Sequence, residues 1–303
     1  MRIKNLQMRA RVIVEGFYAG IHRSPYHGFS VEFSEYRQYT PGDDLRYLDW
    51  RLLARSDRAY VKRFEDETNL LCYVVVDTSK SMGYGAGSSK TVGHAKHEYA
   101  RTLAATLAYF LHQQRDAVGL LLFDEEVVDY APPRHRPGHL RRLMAMLQHE
   151  PRGHATDLAK PLEQIAQMVR KRGLVVLISD LLADPDVLRT KLGYLRSRGH
   201  DVVVFRVLDP AELTFSFGEA SIFEDLETGR RIYIDPEAAR EQYLERFRAH
   251  AAHLDKICRE LGVDFVECTT ERPLELSLFD LLRTRVRRGR RPARRSTGGK
   301  GAR

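Results

Sequence analysis

The chain is short of cysteine and tryptophan and has no long apolar run, and each shortage excludes something. Three cysteines in 303 residues, Cys72, Cys258 and Cys268, include no C-x-x-C pair. A disulfide framework or a zinc ribbon is therefore excluded, and a reducing cytoplasm is expected. No apolar stretch approaches the ~20 residues of a membrane-crossing helix. The opening residues Met1-Arg2-Ile3-Lys4-Asn5 lead into no continuous apolar segment, which argues against a secretory signal. Acid is missing where cations crowd most: residues 283–303 hold ten of the 49 lysines and arginines and no Asp or Glu. The remaining 39 cations face 41 acids, so the body carries −2 and the pI near 9.4 belongs to the end of the chain. A basic nucleic-acid-binding fold is disfavoured; a basic arm on a near-neutral body is expected.

What is present is a globular composition, 43% hydrophobic and 30% charged. Leu6, Ala10, Ile13 and Phe17 recur at helical spacing, and Gly20 is expected to end that helix. Residues 21–70 mix aromatic and charged positions around a Pro41-Gly42 turn, and Phe29, Val31 and Phe33 alternate as in a short strand. Beyond residue 70 the texture becomes regular. Apolar runs at 71–76, 118–123, 174–178 and 202–207, with a weaker one at 263–266, have the length and continuity of parallel strands buried on both faces. Helical stripes centred on Leu103, Leu143, Ile165 and Leu192 separate them. This alternation predicts a doubly wound, mostly parallel α/β sheet of Rossmann type. Val127 to Tyr130 is expected as an antiparallel edge strand, residues 220–234 as an inserted hairpin, 236–260 as a long amphipathic helix and 274–282 as a short one. Residues 283–303 have too little apolar content to fold. The expected organisation is an N-terminal helix and strand extension over 1–70, a sheet domain over 71–282 and a basic tail.

The strongest chemical signal is Asp77-Thr78-Ser79-Lys80-Ser81, directly after the first core strand. Ligands of open parallel sheets bind at the carboxyl ends of strands. Thr156-Asp157 and Asp180 follow at the expected ends of other elements. Hydroxyl and carboxylate oxygens without sulfur or imidazole suit a hard cation, Mg²⁺ or Mn²⁺. Ser79 and Ser81 would serve equally as turn and N-cap residues, and Thr156 or Asp157 as a cap. Asp184-Pro185 reads as a cap alone.

Asp-x-Ser-x-Ser, then Thr, then Asp on such a sheet resembles the metal-ion-dependent adhesion site of von Willebrand factor A domains. Gly28-Phe29-Ser30-Val31-Glu32-Phe33, Tyr36-Arg37-Gln38-Tyr39, Pro41-Gly42-Asp43-Asp44-Leu45-Arg46, Leu48-Asp49-Trp50 and Tyr60-Val61-Lys62 resemble the domain of unknown function 58 family. That family joins this signature to a von Willebrand A-like domain. The resemblance implies that Ser79, Ser81 and Thr156 ligate the metal, with Asp77 and Asp180 in direct or water-mediated contact. A partner's Glu or Asp would complete the coordination. It further implies a MoxR-type AAA+ ATPase as partner. Gly153-His154-Ala155 departs from the family's more usual glycine before the threonine.

Around Pro41–Trp50, the charges of Asp43, Asp44, Arg46 and Asp49 and the lone Trp50 would pin the N-terminal segment to the sheet domain, or else face a partner. Ser88-Ser89-Lys90-Thr91 fails the phosphate-loop pattern, because Tyr84 and Ser89 stand where glycines are required. His94 and His97, like His135 and His139, lack an evident third ligand. A hydrolase at the same strand ends would need a base such as Asp124 or Asp157, and a phosphatase of similar topology would need a second aspartate where Ser79 stands. The basic tail would give salt-dependent polyanion or lipid-surface contact, and with no aromatics it would not recognise RNA specifically. The expectation is a cytoplasmic, non-enzymatic, Mg²⁺-dependent interaction protein, peripheral to a membrane if the tail engages one.

Overall fold

Val, Leu and Ile fill the strands because both faces of the sheet are covered. The computed structural model describes residues 5–23, 36–38, 60–62, 70–85, 95–148, 159–169, 171–217, 219–225 and 229–289. Strands β3 (Leu71–Asp77), β4 (Ala117–Phe123), β6 (Leu174–Ser179), β7 (Asp201–Leu208) and β10 (Asp264–Thr269) run parallel in one six-stranded sheet. The sixth strand, β5 (Val127–Arg134), pairs antiparallel with β4 at the edge, as its position after a short acidic turn led us to expect. The order is β10-β7-β6-β3-β4-β5. The chain builds outward from β3 to one side and then returns to build outward from β6 on the other. The point of reversal lies between β3 and β6, where a doubly wound sheet opens a crevice at its carboxyl edge.

Successive strand residues face opposite sides. Val75, Leu177 and Val204 pack with Leu162 of α4 (Ala159–Met168), Leu192 of α5 (Pro185–Ser197) and Leu254 of α7 (Pro236–Leu261). Val74, Val76, Leu122 and Ile178 are buried on the other face. There α2 (Lys96–Gln113) packs on β3 and β4, and α3 (His139–Met146) packs on α2. The first helix, α1 (Leu6–Arg23), reaches this layer through Phe17. That ring meets Phe110 of α2 edge-on at 5.9 Å and Phe279 of α8 (Leu274–Gly289) at 4.9 Å.

At the β5 edge, two prolines, Pro132 and Pro133, interrupt the ladder at an irregularity between Val118 and Leu120. Gly119 sits opposite. A Cβ there would lie 2.8 Å from the Ala131 carbonyl oxygen and from Pro133, so only glycine fits the close approach.

Two helices run further than their sequences suggested. α1 continues through Gly20 to Arg23, because one interior glycine costs only about 1 kcal/mol against alanine and does not stop an established helix. α8 continues from the expected Leu282 to Gly289. Arginine is a good helix former, and extension of an existing helix needs no further apolar burial. The first four arginines of the stretch expected to be unstructured are thus helical in backbone. Residues 290–303 lie outside the described residues, as do Phe29–Phe33 and the whole Pro41–Trp50 block. A short helix, α6 (Pro210–Thr214), was not anticipated. The expected hairpin is present as β8 (Ser221–Glu224) paired antiparallel with β9 (Arg231–Ile234).

By contacts the chain separates into two units, 1–17 with 71–303, and 18–70. α1 up to Phe17 thus groups with the sheet. Within the second unit, β1 (Tyr36–Gln38) and β2 (Tyr60–Lys62), two pieces of the family signature, pair antiparallel with each other.

Phe17 is 3% exposed, whereas Val12 on the same helix is 51% exposed. Phe17→Ala is expected to lower stability by about 3 kcal/mol or more in urea unfolding, and Val12→Ala by less than about 0.5 kcal/mol.

Candidate metal and partner site

Strand register assembles the site. Val76 of β3 aligns with Ile178 of β6, so Asp77 and Ser179 emerge side by side and Asp180 follows at the point of reversal. Asp77 is buried, and its carboxylate organises the loop beyond it. Oδ1 accepts the Ser79 backbone N–H at 2.9 Å, and Oδ2 accepts the Ser179 hydroxyl at 2.6 Å. Thr78 anchors the same loop to the end of β4 by donating both its N–H and its hydroxyl to the Phe123 carbonyl. A single 3-10 turn, Lys80–Gly83, then buries Met82.

Ser79 occupies the N-cap position of that turn, but its side chain makes no capping hydrogen bond. Its hydroxyl instead lies 3.0 Å from the Ser81 hydroxyl. Asp184, by contrast, is the helix cap expected of it: its carboxylate accepts the Asp186 N–H, with Pro185 opening α5.

Asp180 is fully buried and is met by a lysine. The Lys96 ammonium, at the start of α2, donates to Asp180 Oδ2 at 2.8 Å and to Glu212 Oε1 at 2.6 Å. Burial alone would push the ammonium's pKa down; the two carboxylates together outweigh it, and the net shift is upward. Burial pushes the Glu212 carboxyl up against the opposing pull of Lys96. Glu212 is held for this contact by α6, where it also closes a capping box with Asp209. Arg206, from the middle of β7, donates Nε–H to the Asp180 carbonyl at 3.2 Å. Leu181 is buried at φ +55°, a left-handed conformation that a leucine rarely adopts, and its N–H is held by the Ser179 hydroxyl.

Asp77 has no such cation. Its partners among the described residues are neutral, and burial, then the charge of Asp180, push its pKa up to about 7 despite the hydrogen bonds from Ser179 and Ser79. Burial and the charge of Asp180 thus disfavour the ionised form of Asp77, and a cation bound beside it would favour that form instead. Oxygens at adjacent vertices of a Mg²⁺ octahedron, with bonds of about 2.1 Å, lie about 3 Å apart. The Ser79–Ser81 separation equals that edge. These three residues fit a hard divalent cation. Asp180 fits less simply, since Lys96 already engages one of its oxygens.

Of the ligands implied by the resemblance, Asp77, Ser79, Ser81 and Asp180 come together. Thr156 lies outside the described residues, as do Asp157 and the surface residues Asp43, Asp44, Arg46, Asp49 and Trp50. Asp124, the other candidate base, accepts the Glu126 N–H in the β4–β5 turn. Among the described residues no cluster of three or more His, Cys, Asp or Glu side chains is placed to hold a metal.

Lys96, Ser179, Arg206 and Glu212 were not anticipated. Two left a trace: Lys96 lies on the apolar stripe it shares with Tyr99 and Leu103, and Arg206 is the one charge within the run Val202–Leu208.

A family model described as "Protein of unknown function DUF58" matches residues 35–253. The chain belongs to that family. An uncharacterized protein of Mycobacterium tuberculosis (strain ATCC 25618 / H37Rv), Rv1480, is 27% identical over 275 residues, 89% of this chain and 84% of that protein. A Mycobacterium avium protein, MAV169, is 29% identical over 156 residues, 51% of this chain and 90% of its own length. Among solved structures, an aerotolerance-related membrane protein from Bacteroides fragilis is similar at 14% identity and a TM-score of 0.47, over 70% of this chain and 98% of that one. The SpRpn10 VWA domain is similar at 12% identity and a TM-score of 0.39, over 69% and 94%. At such identities the likeness concerns fold alone. The strand order and directions described above are what make the core of this DUF58 protein a doubly wound, von Willebrand A-like α/β domain. Among the described residues no helix is long and apolar enough to cross a membrane.

Removing one partner of a buried ion pair leaves an uncompensated charge, at about 3–5 kcal/mol. Lys96→Met is expected to destabilise this DUF58 chain by that amount in urea unfolding. Adding Asp180→Asn and Glu212→Gln to it is expected to restore most of the loss.

Proposed function

We propose that this protein is a non-enzymatic interaction module that binds a partner protein through Mg²⁺, or Mn²⁺, held by Ser79 and Ser81 with Asp77 behind them. The observation that supports this reading is the Ser79–Ser81 hydroxyl pair, hydrogen-bonded at a distance that an octahedral edge would also have, in the loop after a buried carboxylate with no cationic partner among the described residues. The cation would supply an open coordination position for a partner's Glu or Asp. Hydroxyl ligands leave most of its charge uncompensated, which strengthens the pull on that carboxylate. Thr156 is proposed as a third ligand, and Asp180 as a contact through water, given its bond to Lys96. Asp77 and Ser179 hold the loop in place.

Binding is favoured over hydrolysis on two grounds. Ser79 stands where a second aspartate would be needed for phosphoryl transfer, and Asp124 is committed to its turn. The resemblance to the domain of unknown function 58 family makes a MoxR-type AAA+ ATPase the proposed partner. The cytoplasm is the proposed location, and weak contact with an anionic membrane or another polyanion is the proposed role of the arginines of 283–303.

Titration calorimetry with MgCl₂ and MnCl₂ on the full chain tests the cation. We expect one site, weakened at least about tenfold by Ser81→Ala with urea stability unchanged within about 0.5 kcal/mol. An unchanged affinity would overturn the reading. Capture of a MoxR-type AAA+ ATPase is expected with Mg²⁺ and to be lost both in EDTA and with Ser79→Ala/Ser81→Ala.

A further inference from the structure

A groove of about 500 Å³ lies between α7 and the β8–β9 hairpin. Its floor is aromatic. Phe215 stacks on Tyr243 at 4.4 Å and lies nearly parallel to Phe223 at 5.8 Å, and Tyr243 stacks on Phe247 at 5.7 Å. Phe215 reaches this position through a left-handed turn, φ +47°, that ends α6. Leu182, 48% exposed, lines the groove as well. The volume falls in the range of ligand-binding clefts, roughly 300–1,000 Å³. A continuous apolar floor of this kind marks a binding surface more than scattered exposed residues do.

The groove's one charged lining residue is basic. Arg246 lines it beside His250, whose pKa burial lowers, and none of the lining residues is acidic. Beneath the floor, the Arg206 guanidinium stacks on Phe247 at 4.9 Å. Its Nη2 is buried and meets no acceptor among the described residues. The arginines of 283–303 would be repelled by such a surface; an anionic segment would be drawn to it.

The groove is joined to the candidate cation site. The Tyr243 hydroxyl donates to the Glu212 carbonyl at 3.0 Å, and His250 Nε2 lies 2.9 Å from the Leu181 carbonyl. Leu182 is two residues past Asp180, about 7 Å of chain at most.

We infer that this groove binds an acidic peptide segment of a partner protein, with a large aliphatic or aromatic side chain on the Phe215–Tyr243–Phe247 floor and a carboxylate facing the exposed Arg246. The inference rests on the protein-interaction reading above but not on its metal. Apolar burial supplies the affinity, and the one-signed lining selects the partner.

The test is fluorescence anisotropy on the full chain with two labelled dodecapeptides, one alternating glutamate with leucine and phenylalanine, the other with lysine in place of each glutamate. Arg246 and Leu182 are exposed, so Arg246→Glu and Leu182→Glu leave the fold intact. The acidic peptide is expected to bind and the basic one not. Leu182→Glu should weaken binding at least about tenfold, and Arg246→Glu should reverse the preference. Equal binding of both peptides, or no effect of either variant, overturns the proposal. So does binding of oleate where the acidic peptide fails, which would make the groove a small-amphiphile site. A dimer in sedimentation that Arg246→Glu dissociates would overturn it in favour of a self-interface. Acidic-peptide binding that survives EDTA and Ser81→Ala but falls in Arg246→Glu upholds the groove and counts against the metal reading. Binding lost in EDTA but indifferent to Arg246→Glu does the reverse.

Discussion

The Lys96 ammonium, held between Asp180 and Glu212 with no access to water, is the contact on which the carboxyl edge of this sheet depends. Two carboxylates at strand and helix ends would repel each other in a dry interior, and one would have to stay protonated. A single lysine at the start of α2 bridges the two with one positive charge. It also joins three parts of the chain distant in sequence: the β3–β4 crossover helix, the end of β6 and the short helix after β7. The cost is a site in which one acidic ligand is already engaged. Asp77 is left without a cation among the described residues, and the Ser79 N–H and the Ser179 hydroxyl are its donors.

This division of labour gives two carboxylates of similar burial different roles. Asp180 is structural first, bonded to lysine and backed at its carbonyl by Arg206. Asp77 meets neutral donors only among the described residues. The left-handed Leu181 follows from the same crowding. The chain must turn sharply after Asp180 to put Leu182 at the surface, and the Ser179 hydroxyl, shared between Asp77 and the Leu181 N–H, holds that turn.

Much of this was legible in the chain. The parallel strands were readable because a strand covered on both faces must be apolar throughout, and little else produces runs such as Val202–Val207. The place of the Asp77–Ser81 loop was readable because it follows directly on the first such strand. The ends of α1 and α8 were not, since Gly20 and a string of arginines are weak stops once a helix is under way. The Lys96–Asp180–Glu212 triad was hidden for a different reason. Its members stand 84 and 116 residues apart, and each has an ordinary local excuse: a helix start, a strand end, a capping box. The groove along α7 was equally invisible, because Tyr243 and Phe247 look like core residues until the hairpin's position is known.

Pro132 and Pro133 have a consequence of another kind. A free sheet edge is a template, and a second chain can add a strand wherever donors and acceptors alternate. Two successive residues of β5 have no N–H to offer, and the irregularity at Gly119 bends the strand where they sit. A copy of this protein, or an unfolded segment of one, meets a broken ladder there. The sheet is thus capped on its antiparallel side by imino acids, a chemical stop against fibrous growth that leaves the carboxyl edge free for recognition.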